Sequence, residues 1–202
     1  MKKSAEVKEK IIEAAIALIQ EGNGNSDEIT TRAIAEKASV GIGLINYHFQ
    51  TKENLITICV QRIIGQVISD FKPNDTDFKT EQERLTNTAA EVFEFLFENP
   101  SISRISILSD FSVPTISGNT TLSQKGIRLA MGENMSEEDG RFISFVLVSA
   151  MQTAFLNSTI MKESMGFSLD SPDERRAYIA RLVDLLYRGI KQRCGGTDER
   201  HK

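Results

Sequence analysis

Residues 30–55, TTRAIAEKASVGIGLINYHFQTKENL, hold a small apolar segment, a Ser-Val-Gly break, and a Tyr-His-Phe run closed by Thr-Lys-Glu. Thr30 is a natural N-cap for a short helix through Ala38, with Ala33, Ile34, Ala35 and Ala38 on its buried face. Gly41 and Gly43 interrupt the pattern, and Ile42 to Phe49 reads as a second short helix with Ile45 and Phe49, four apart, turned inward. Thr51 caps the next helix, and Glu53 lies in its first turn, where the helix dipole favours an anion. Ala33, Ala35 and Ala38 are small enough for close packing of the pair, and Val40 plugs the turn from inside. Two short helices joined by a tight turn and braced by a longer helix make a helix-turn-helix.

The outer face of the second helix then consists of Ile42, Gly43, Leu44, Asn46, Tyr47 and His48, groups able to touch base edges. Thr30, Thr31, Arg32, Tyr47 and Lys52 supply the hydroxyl, guanidinium and ammonium donors that hold phosphates, together with helix N-terminal amides. Gly41 and Gly43 let the helix start come close to a duplex.

Outward from this stretch the chain reads as helices throughout. Before it, Val7, Ile11, Ala14, Ala15, Leu18 and Ile19 form one amphipathic stripe, ended by Gly22 and Gly24. After it, Leu55, Ile56, Cys59, Val60, Ile63, Ile64 and Val67 form another. Residues 72–80 are polar and hold a proline, the expected hinge. A capping box at Thr80–Glu83 restarts helix until Asn99-Pro100 stops it, a shorter helix spans Ser101 to Phe111, and another runs from Leu122 to about Gly132. From Ser136 to Phe167 the sequence predicts one long helix, apolar nearly all round, which calls for cover from its own bundle and from a second subunit. Ser171–Glu174, with Pro172 at the first helical position, opens a striped final helix to Arg193. No segment sustains period-two alternation, so the expected fold is all-α. The expected domains are 1–65, a helix-turn-helix unit, and 66–202, a helical bundle.

Composition narrows the function. Net charge is −4; residues 1–64 hold 8 basic and 8 acidic side chains against 24 and 28 in the whole chain, so the acidic excess lies entirely beyond residue 64. The N-terminal region is therefore the less repulsive one toward a polyanion. Cys59 and Cys194 are too far apart in sequence for a CxxC metal or redox pair. Gly41-Ile-Gly-Leu-Ile-Asn46 imitates a dinucleotide fingerprint, but the third glycine is missing and no strand precedes it. There is no GxSxG or HExxH, and the two histidines are His48 and His201. No catalytic residue, metal site or cofactor is expected, and no apolar run suits a signal or a membrane span, so the expected location is the cytoplasm.

Residues 7–65 resemble the DNA-binding domain of the TetR family of bacterial transcriptional regulators. The likeness lies in Ala14-Ala15, Leu18 and Gly22, Thr30-Thr31-Arg32 with Ile34-Ala35, Val40, Leu44 through Phe49, and Lys52 through Leu55. Two positions depart from it: Ser39 stands where glycine is common, which asks for a strained backbone angle, and Asn23 replaces an aromatic residue in a longer polar linker. The resemblance implies base or sugar contacts from Ile42, Gly43, Leu44, Asn46 and His48, and phosphate contacts from Thr31, Tyr47 and Lys52. It also implies a homodimer joined through the last two long helices, a double-stranded palindromic operator, and a small-molecule effector. Phe93, Phe97, Ile105, Leu108, Phe111, Met131, Phe145, Met151, Gln152 and Phe155 are the candidate pocket, with Gln152 and Asn157 as polar groups. These side chains favour an apolar or aromatic ligand. A repressor is the first expectation; an activator of the same fold, or a helical interaction module without operator binding, stays open.

Overall fold

The computed structural model describes residues 2–22, 25–70, 78–132 and 135–195, with side chains at 4–22, 25–66, 78–132 and 135–189. Among them all regular structure is helical, as expected: α1 (Lys2–Glu21), a 3-10 turn (Ser26–Glu28), α2 (Thr31–Ala38), α3 (Ile42–Phe49) and α4 (Lys52–Asp70). Then follow α5 (Glu81–Glu98), α6 (Pro100–Ser112), α7 (Asn119–Leu129), α8 (Glu137–Leu156), α9 (Ser158–Met165) and α10 (Pro172–Gly195). The helices form two compact units, Met1–Lys72 with Asn99–Asn119, and Pro73–Glu98 with Thr120–Lys202. Most of the expected hinge at 72–80, Asn23, Gly24, the Val67 and Cys194 side chains, and His201 lie outside the described residues.

The first unit closes around one apolar core. The α1 stripe delivers Ile11, Ala15 and Ile19; Ile34 and Ala35 come from α2, Ile45 and Phe49 from α3, Leu55, Cys59 and Val60 from α4, and Ile102 and Ile105 from α6. Each fully buried Ile or Phe contributes about 1.5–3 kcal/mol, so this core outweighs the surface ion pairs of the unit. Those pairs include Arg62 with Glu9 and Lys37 with Glu21 (2.7 Å), both partly exposed, and such pairs give about 1 kcal/mol or less. The Cys59 thiol donates to the Ile12 carbonyl at 3.7 Å, and burial pushes its pKa up to about 12. It stays protonated and packs as a small apolar group. The Ser101 hydroxyl donates to the Gly22 carbonyl, tying α6 to the end of α1.

In the second unit Leu85, Ala89 and Phe93 of α5, Ile143, Leu147 and Met151 of α8, and Ile179 and Val183 of α10 are buried. The caps read from the sequence are formed. Thr80 Oγ1 accepts the Glu83 amide at 3.1 Å, although the Glu83 carboxylate reaches the Lys79 amide rather than that of Thr80. Ser171 and Glu174 complete a reciprocal box, with amide-to-side-chain distances of 2.9 and 3.3 Å. Arg175 pairs with Glu94 at 2.6 Å, donates to the Leu169 carbonyl at 2.9 Å, and lies 4.6 Å over the Phe97 ring.

The expected single helix from Ser136 to Phe167 is two helices. It ends at Leu156, and α9 leaves at 101° to α8. Asn157, at φ −108° and ψ 15°, makes the break: its side chain donates to the Thr153 carbonyl at 2.8 Å and its own amide bonds to the same oxygen at 3.1 Å. A side chain competing for a backbone acceptor favours such an end. Among the described residues no single helix is long and apolar enough to cross a membrane.

Candidate nucleic-acid interface

The turn between α2 and α3 is fixed by backbone geometry. Thr30 Oγ1 accepts the Ala33 amide at 3.1 Å and so starts α2. At the other end Ser39 takes the left-handed conformation, φ 54° and ψ 45°, where a side chain costs about 1 kcal/mol. The Val40 amide then closes on the Ala35 carbonyl at 3.0 Å, and Val40 packs half-buried against the core. On α2 the buried face is Ile34, Ala35 and Ala38, while Ala33 is half-buried.

This turn sets α3 with Ile45 and Phe49 buried and its remaining side chains outward. Ile42 is 46% exposed, Leu44 40% and Tyr47 77%; Asn46 is exposed and His48 half-buried. The His48 ring meets Tyr47 edge-on with centroids 5.0 Å apart. Where Cβ atoms at Gly41 or Gly43 would stand there is no atom within 4 Å. The α3 sequence contains no Lys, Arg, Asp or Glu.

Apart from Tyr47 in the last turn of α3, the sequence-predicted phosphate donors lie at helix starts in the same unit. Thr30 caps α2, Thr31 is half-buried in its first turn, and exposed Arg32 pairs with Glu36 one turn on at 3.0 Å. Lys52 makes a contact that local sequence did not signal. Its Nζ donates to the Ser26 carbonyl at 3.0 Å, joining the start of α4 to the polar turn before α2 across 26 positions of sequence.

The expected ligand residues are distributed unevenly. Phe93 and Phe97 meet edge-on at 5.1 Å, Phe97 meets Phe155 at 5.3 Å, and Tyr178 stacks on Phe93 at 5.7 Å. Met131 and Met151 are fully buried. Phe145 is on the surface, 58% exposed, because an all-round apolar helix has an outer side. Phe111 is likewise exposed and belongs to the first unit, with Ile105 and Leu108. Gln152 is buried; its Nε2 donates to Thr120 Oγ1 at 2.9 Å while its Oε1 is buried without a partner. The Thr120 contact, 32 positions away, was not legible in the sequence. An open cleft of about 520 Å3 in the second unit is lined by Phe78, Thr80, Glu83, Thr86, Arg176 and Ala180 among others, and by none of the expected ligand residues.

With this geometry in place, residues 11–57 match the sequence profile of bacterial regulatory proteins of the tetR family. No curated protein sequence matches the chain. Similar solved structures include a TetR transcriptional regulator from Rhodococcus sp. RHA1, at 18% identity over 92% of this chain and 97% of that one, TM-score 0.65. The regulator FadR from Bacillus subtilis, in complex with stearoyl-CoA, is 17% identical over 88% of this chain and 96% of that one, TM-score 0.56. A tetR-family regulator from Streptomyces coelicolor is 16% identical over 90% and 79% of the two chains, TM-score 0.59. At these identities the likeness is one of fold.

Proposed function

We infer, from the tetR-family profile of bacterial regulatory proteins that residues 11–57 match, a ligand-responsive repressor that binds a palindromic operator as a homodimer. The observation that carries the reading is α3 itself: two buried positions anchor it, and every other side chain on it is at least partly open to solvent beside an unfilled space at Gly43. Ile42, Gly43, Leu44, Asn46 and His48 face the bases, while Thr30, Thr31, Arg32, Tyr47 and Lys52 hold the flanking phosphates. Exposed Phe142 and Phe145 on α8 and Leu185 on α10 support a dimer built on those two helices.

The ligand is apolar or aromatic and enters the second unit, with Phe93, Phe97, Met131, Met151 and Phe155 supplying apolar contact and the unpartnered Gln152 Oε1 accepting a hydrogen bond from it. Stearoyl-CoA, which the B. subtilis regulator of this fold holds, carries a long apolar chain of that general chemistry. Ligand favours a dimer whose recognition helices no longer match the spacing of one DNA turn, about 34–36 Å. A coupling of about 1–3 kcal/mol makes a useful switch.

The test is recovery and sequencing of genomic fragments bound by the purified protein, with Tyr47→Ala as control. A short palindrome enriched by the parent and lost in the control is the expected result; no enrichment with or without candidate ligands would return the chain to the class of interaction modules.

A further inference from the structure

We propose that each operator half-site is read chiefly through the methyl groups of two thymines, with one adenine read by Asn46, and offers Ile42, Leu44 and Asn46 no guanine to contact. The proposal rests on the operator reading above and names the chemistry that this reading leaves open. In the major groove, guanine is read most often by Arg or Lys reaching its O6 and N7, and cytosine by Asp or Glu accepting from its amino group; adenine suits Asn or Gln, and the thymine methyl suits an apolar side chain. The α3 sequence, Ile42–Phe49, holds none of the four charged types. Cations stand instead on other helices, Lys8 over the Phe49 ring, Lys37 paired with Glu21, Arg32 with its Nε on Glu36, and Lys52 on the Ser26 carbonyl.

What α3 does present is arranged in stripes one helical turn long, because residues four apart share a face. Ile42 and Asn46 form one stripe, Gly43 and Tyr47 the next, and Leu44 and His48 the third. The middle stripe begins with a glycine that has open space in place of a side chain. The groove floor can therefore come down onto the first turn, with Ile42 and Leu44 on either side of the gap. Both are large, apolar and more than a third exposed, a poor match to water and a good one to C5 methyls. Asn46, exposed below Ile42, has the donor and acceptor that adenine N7 and N6 require.

The experiment is selection from a random duplex library with the full-length protein, followed by resynthesis of the enriched duplex with deoxyuracil replacing each thymine in turn. Removing one methyl from an apolar contact lowers affinity roughly 3- to 5-fold. Two thymines per half-site are expected to show that loss, one of them becoming insensitive in Ile42→Ala and the other in Leu44→Ala. An enriched palindrome indifferent to uracil at every position, or one with G·C pairs at the positions that α3 substitutions affect, overturns this proposal and leaves the operator reading standing. Failure to enrich any sequence overturns the operator reading, and this proposal with it.

Discussion

Gly43 occupies the first turn of α3 in helical conformation, with no atom within 4 Å of a would-be Cβ. The fold makes no demand for glycine there, and glycine in a helix costs about 1 kcal/mol relative to alanine. Gly43→Ala should therefore stabilise the free protein, raising Tm by roughly 2–4 °C for a chain of this size. In the proposed complex the same methyl meets the duplex. Affinity for the selected operator, read by fluorescence anisotropy, is expected to fall tenfold or more. A variant that is both more stable and equally tight in binding would show that no duplex approaches this point. Ser39 makes the contrasting case. Its left-handed backbone is required by the turn, since the Ser39 amide bonds back to the α2 carbonyls, and that strain belongs to the fold rather than to a partner.

At the scale of elements, α8 and α10 carry the two features that decide how the second unit behaves. Phe142 and Phe145 stand one turn apart on α8 and are both more than half exposed. In the proposed dimer a substitution there acts twice, once in each protomer. Phe145→Ser is expected to cost about 4 kcal/mol per dimer, roughly a thousandfold in Kd. Analytical ultracentrifugation across a concentration series reads that shift, and an unchanged dimer would put the interface elsewhere. The Arg175–Glu94 pair gives the unit a pH dependence. Hydrogen bonding from Arg175 holds the Glu94 carboxyl below its ordinary value of 4.5. The contribution is complete above that value and is lost as pH falls through the lower, folded-state value. The Tm difference between the parent and Glu94→Gln should be greatest near neutrality and shrink as the pH drops below about 4. Helix starts were legible because Thr30, Thr80, Ser136 and Ser171 each accept a local amide. The break at Asn157 was hidden because apolar residues continue past it, through Ile160 and Met161, and periodicity registers spacing rather than direction. For the same reason the outward side of Phe145 could not be read from a helix apolar all round. The face of α3 was readable, since two inward positions on an eight-residue helix fix the direction of the other six.

Over the whole molecule, charge is the property that reaches furthest from any one contact. The chain is net acidic, and the N-terminal region is balanced only because its 8 cations offset 8 anions. Such a protein cannot rely on a basic coat for affinity. In the proposed complex only Arg32 and Lys52 bring full positive charge to the backbone, four charges per dimer. Counterion release then gives a shallow salt dependence, with log K against log salt falling at a slope of about −4. Specificity has to come from base contacts, in keeping with an exposed apolar α3. Lys52→Ala separates the two tasks of this lysine. Releasing the Ser26 carbonyl loosens the turn before α2 and lowers affinity at every salt concentration, which shifts the line without tilting it. Losing two phosphate contacts per dimer tilts it, to a slope of about −2. A titration from low to moderate salt that yields parallel lines for parent and variant would assign Lys52 to the turn alone. Converging lines would assign it to the duplex as well, since salt erodes only the part of the binding free energy that the ammonium draws from displaced counterions.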